Sequence, residues 1–159
     1  MMRNLFLCFI TIACLITPFN AELKAQNQLT LNDSNAILES AQIYAKEIGV
    51  NVSFSVVDAR GDLIALIRMD GARFFTTEVA IGKAMVSAIL GQPSGLFANQ
   101  NNSSFFQRLN EANQNKLYFI QGAVPIILNG TIIGAIGVSG ASSQQDEDIA
   151  QVGVNALIR

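Results

Sequence analysis

Histidine and tryptophan are missing from this chain of 159 residues. Without an imidazole there is no Ser-His-Asp or Cys-His catalysis, no histidine-ligated zinc and no histidine axial ligand for a haem iron. The only cysteines, Cys8 and Cys14, lie inside an N-terminal apolar run. The rest of the chain has no thiol, so a packed core rather than disulfides must hold it. Charge is scarce as well: 14% of residues are Asp, Glu, Lys or Arg, and the formal net charge is −2. No basic patch stands out, which argues against nucleic acid as a partner. Half of the chain is hydrophobic, enough to bury a large surface, in part between copies of itself.

The N-terminus reads as an export signal over residues 1–25. Arg3 precedes an apolar run from Leu5 to Ile16, which Pro18 and Asn20 break before Ala21 or Ala25. Neither cut is favoured, because Phe19 and Leu23 occupy the third position before them. The run is short for a bilayer span. The expectation is a single domain over 26–159, periplasmic or secreted, with no stable membrane insertion after the signal is removed.

Periodicity predicts a helix from about Thr30, with Asn32, Asp33 and Ser34 as candidate caps. Its apolar face is Ile37, Leu38, Ala41, Tyr44, Ala45 and Ile48, and Gly49 is the stop. Val50 to Val57 alternates as a half-buried strand, Asp58-Ala59-Arg60-Gly61 turns, and Leu63 to Met69 returns. A second helix spans Phe74 to Leu90, carrying the small side chains Ala80, Ala84, Ser87 and Ala88. A short helix comes next, from Ser104 to about Asn113. Three further strands are expected at Leu117–Ile120, Val124–Leu128 and Thr131–Val138, the last two joined by an Asn129-Gly130 hairpin loop. A final helix runs from about Gln144 to Leu157. The order αββααβββα makes an α/β (α+β) domain, with helices flanking a mostly antiparallel sheet of about five strands.

Few residues carry chemistry. Arg68 and Asp70, in Arg68-Met69-Asp70-Gly71-Ala72, either pair with nearby charges or line a pocket at a strand's end. Lys83 sits among apolar neighbours; it either snorkels to solvent or meets a carboxylate such as Asp58 or Asp70, and a desolvated lysine can serve as a base. Gly134, Ala135 and Gly137 strip bulk from both faces of a strand, admitting either a packed helix or a ligand. Ser143 with Asp146 fits a capping box, the better reading of a helix start that could otherwise attract an anion. No catalytic residue is assigned, Lys83 and Asp70 being weak candidates. A ligand pocket is drawn around Arg68, Met69, Asp70, Lys83 and Ser139. Metal binding is left open. The conceivable haem ligands are Lys83, Met69, Met85, Tyr44 and Tyr118.

Several blocks in order resemble the GlcG/HbpS family, whose domain is also the C-terminal domain of PduO-type cobalamin adenosyltransferases. They are Val56-Val57-Asp58-Ala59-Arg60-Gly61, the Arg68–Ala72 block, Ala80-Ile81-Gly82-Lys83-Ala84, Gly122-Ala123-Val124-Pro125-Ile126, Gly134 to Ala141, and Gln145 to Ala150. The resemblance implies a profilin-like fold, homo-oligomers, and in some exported members haem binding alongside sensory systems, or haem degradation. Two departures stand out: Ala123 replaces the second glycine of Gly-Gly-x-Pro, and no histidine is present for members that hold haem through one. The functional expectation is an exported, oligomeric binding protein for haem, another tetrapyrrole or a small organic acid, with an accessory role in sensing or uptake. The alternatives are a haem-degrading or small-acid-processing enzyme using Lys83 and Asp70, and a structural module without a ligand.

Overall fold

Residues 28–157, apart from residue 101, are described by the structure, a computed structural model. The expected signal segment lies outside the described residues. Helix α1 (Leu31–Glu47) starts at Thr30, whose hydroxyl accepts from Asp33 N–H while the Asp33 side chain accepts from Thr30 N–H. That reciprocal pair, rather than Asn32, Asp33 or Ser34 as caps, fixes the start. The expected apolar face is the one buried: Ile37, Leu38, Ala41 and Ala45 are inaccessible or nearly so.

Strands β1 (Ser53–Asp58) and β2 (Leu63–Arg68) form the first hairpin, and β3 (Ala123–Leu128) and β4 (Thr131–Ser139) the second. In the second, Asn129 and Gly130 both take positive φ, as a two-residue loop between twisted strands requires. Helix α2 (Thr76–Leu90), a 3₁₀ turn (Ser94–Phe97), α3 (Ser104–Ala112) and α4 (Ser143–Leu157) complete the order. The sheet runs β2-β1-β4-β3, every neighbouring pair antiparallel. α1 and α4 cover one face through a core that includes Ile37, Phe54, Val56, Ile136, Val138 and Ile149. α2 covers the other, with Val57, Ala84, Ala88 and Ala135 in contact.

Two expectations change. The sheet has four strands, because Leu117–Ile120 joins no ladder. Its alternation is real, since Leu117 and Phe119 are buried with Val86 and Phe106. Its backbone bonds go elsewhere: Leu117 N–H to the Asn110 side chain, and Tyr118 N–H to the α2 carbonyl of Gly82. Nor is β1 half-buried. Ser53 and Ser55 are fully covered, because the small residues of α2 let its axis close down on them. Ser53 pairs with the Thr76 hydroxyl at 2.7 Å.

Candidate functional site

The small-residue stripe is where this close approach happens. β4 is an interior strand, and a Cβ at Gly137 would run into Ala80 O and Ala84 N of α2. At Gly134 it would meet Val57 O and Leu29 Cδ2. The bare main chain therefore receives the chain's own helix and strand, and within one chain leaves no room there for a flat ligand. Packing is the reading that holds.

Lys83 lies beside this contact. Its Nζ donates to Asp146 Oδ2 at 2.9 Å and to Val138 O at 3.0 Å, and the side chains of both ionic partners are 3% exposed. Asp146 Oδ1 accepts the Ala141 N–H at 3.0 Å. Gly122 closes the site from above: a Cβ there would lie 2.6 Å from Lys83 Nζ and 2.9 Å from Val138 O. Burial pushes the Asp146 carboxyl above its ordinary value, against the opposing pull of the Lys83 ammonium and the N–H groups of Ala141 and Gly140. The pair thus joins α2, the end of β4 and the start of α4 in a desolvated knot. A lysine so held has no free path to a substrate.

Neither Asp58 nor Asp70 is the carboxylate that Lys83 meets. Asp58 folds its side chain onto the N–H groups of Arg60 and Asp62, and Asp70 is exposed beyond β2. The capping box also shifts by one position. Ser142 and Gln145 exchange the reciprocal bonds, which frees Asp146 to turn inward. Sequence spacing of 63 residues gave no sign of the pair; the signal that existed was an apolar helix face interrupted by one lysine.

Of the other pocket candidates, Ser139 is buried at the end of β4, one residue beyond the carbonyl that Lys83 grips. Arg68 stands in the same row two strands away, since both it and Ser139 register with Ser53. It is exposed, while Met69 packs partly against the main core. Among the described residues neither Arg68 nor Asp70 forms an ion pair. Beside this corner, Phe74 and Phe75 stand edge to face and are 81% and 44% exposed.

Among the described residues, hollows open elsewhere. One of about 310 Å³ follows the outer side of β3, between Gly91–Pro93 and α4 residues Gln151 and Val154. Another, about 220 Å³, is bounded by Phe106, Phe119 and polar residues of α3. No methionine, tyrosine or lysine lines either. Among the described residues no cluster of carboxylates could hold a metal ion, and no helix is long and apolar enough to cross a membrane.

Comparison with known proteins agrees with this architecture. The model of the family described as haem degrading protein HbpS-like matches residues 29–155. A 15.0 kDa protein from the dhaT-dhaS intergenic region of Citrobacter freundii is 33% identical over 131 residues, covering 81% of this chain and 92% of that protein. The crystal structure of Klebsiella pneumoniae ORFY, described under DUF336, superposes with a TM-score of 0.75 at 31% identity, covering 82% and 90% of the two chains. The PduOC:heme complex gives 0.73 at 28% identity, covering 81% and 94%. The full corrinoid adenosyltransferase PduO of Citrobacter freundii is matched over only 39% of its length.

Proposed function

The chain belongs to the HbpS-like family, and from that premise we propose that it is an exported, oligomeric binding protein for haem, another tetrapyrrole or a small organic acid, with no catalysis of its own. The observation that carries this reading is the likeness to a chain solved with haem, which extends over nearly the whole domain. Its location outside the cytoplasm rests on the sequence of residues 1–25 alone.

Among the described residues, the two hollows and the Lys83 site of one chain do not fit an enclosed, axially ligated haem. Lys83 is committed to Asp146, and neither hollow presents a methionine or tyrosine. The reading therefore puts the ligand on the outer face, at the Arg68–Asp70 corner, completed by another copy. There the Arg68 guanidinium meets ligand carboxylates, and the exposed rings of Phe74 and Phe75 cover an apolar body. Lys83 acts from behind, by fixing the end of β4.

Haem titration tests the reading. The purified protein should give a saturable shift of the Soret band, and Arg68→Ala should weaken it. A flat titration at micromolar protein would reject the haem version, leaving the small acid to be sought by calorimetry.

A further inference from the structure

A buried carboxylate oxygen lacks a donor beside the groove that follows the outer side of β3. The groove's hollow, about 310 Å³, falls at the low end of the about 300–1,000 Å³ that small-molecule sites occupy. Val124, Pro125 and Ile127 form its floor, with Gln92 and Pro93 on one side and Gln151 and Val154 of α4 on the other. Glu147 precedes Gln151 by one turn on the same side of α4. Its Oε1 accepts from Gln121 Nε2 at 3.1 Å. Gly95, two residues beyond Pro93, packs against that same Gln121, where a Cβ would lie 2.9 Å from Gln121 Cβ. Both sides of the groove therefore lead to the Glu147 carboxylate.

Glu147 Oε2 is buried, and among the described residues no donor reaches it. A carboxylate oxygen stripped of water without a replacement donor bears its full desolvation cost. The fixed donors around it are already committed. Gln121 Nε2 serves Gln144 Oε1 and Glu147 Oε1, Gln144 Nε2 serves Asp148, and Gln151 Nε2 serves Asn155. On the strand side, Ala123 N–H goes to Ser94 Oγ, the Ser94 hydroxyl goes to Ile120 O, and Pro125 has no N–H. Acceptors remain open. Besides Glu147 Oε2 there is the Pro125 carbonyl, which the register turns outward, since Val138 N–H donates to Gly122 O and outward groups alternate with paired ones. An ammonium brings three donors and no acceptor, and the floor of Val124, Pro125 and Ile127 suits an apolar body. We propose that the groove outside β3 binds a small primary alkylammonium, its charged end on Glu147 Oε2 and its chain along Val124, Pro125 and Ile127. The groove lies at the opposite edge of the sheet from the Arg68 corner, so failure of one site leaves the other standing.

Calorimetry of the full protein with hexylammonium chloride tests the site, with hexanol and hexanoate as probes of equal chain length. Hexylammonium should saturate near one per chain with a Kd of about 1 mM or below, and both other probes should bind at least about tenfold more weakly. Glu147→Gln keeps the bond to Gln121 but removes the charge, and should weaken hexylammonium by about 10- to 100-fold. If that variant fails to fold, Gln151→Lys decides. Gln151 is exposed, and a lysine there sets the chain's own ammonium one turn from Glu147, which should exclude hexylammonium to a similar degree. Absence of saturation overturns the proposal, since water or a neighbouring chain then supplies the donor. So does hexanol or hexanoate binding as tightly as hexylammonium, or affinity indifferent to both substitutions.

Discussion

Replacing Lys83 with methionine should be among the most damaging single changes in this fold. The side chain is almost fully buried, and its ammonium makes two hydrogen bonds, at 2.9 Å to Asp146 and 3.0 Å to Val138 O. Methionine keeps most of the packing volume but leaves a buried carboxylate with only backbone donors. Breaking a buried pair in this way costs about 3–5 kcal/mol, against a total stability of about 5–15 kcal/mol for a domain of this size. With a urea dependence of about 1–3 kcal/mol per molar, the midpoint should fall by about 2 M. Losing the ammonium also removes the group that holds the Asp146 pKa down, so the deficit should shrink on acidification as that carboxyl takes up a proton. Lys83→Met/Asp146→Leu should recover most of the loss, because no charge is then left buried. Urea unfolding followed by circular dichroism measures all three proteins. A cost below about 1 kcal/mol for Lys83→Met, the range of exposed pairs, would refute the desolvated knot.

The native pKa of Asp146 is raised by burial, so the native state holds that proton more tightly than the unfolded chain. The resulting stability is complete below the ordinary carboxylate value and is lost as pH rises through the native one; Asp146→Asn should flatten this fall in urea midpoints, and an unchanged profile would deny it. Gly137→Ala sets a methyl against the Ala80 carbonyl of α2, and thermal unfolding should show a loss of about 1–3 kcal/mol or more. Ser94→Ala strips the buried Ala123 N–H of its partner and should cost about 1–3 kcal/mol, read in the same way.

Local signals carried most of the fold. The spacing of Ile37, Leu38, Ala41 and Ala45 marked the buried face of α1, and Asn129-Gly130 marked the second hairpin. Leu117–Ile120 misled because alternation reports which side chains are buried, not which backbone partners are available; here α2 and the Asn110 side chain took the bonds that a strand would have used. Val50 to Val57 read as half-buried because apolar and polar residues alternate along it, while the full burial of Ser53 and Ser55 depends on how closely α2 can approach. The knot was hidden for a similar reason. Lys83 was visibly out of place on an apolar face, but its partner lies in another helix, and acidic residues at a helix start suit the dipole wherever they point. The Arg68–Asp70 corner was legible as a strand end, but its separation from Lys83 was not.

The binding role is tested most directly by native mass spectrometry on protein recovered from its own cell fraction, without added ligand. Multiples of the chain mass should appear together with the mass of a tetrapyrrole or a small acid, released when the assembly is dissociated. Bare chains or bare assemblies under conditions that preserve known haem complexes would contradict it.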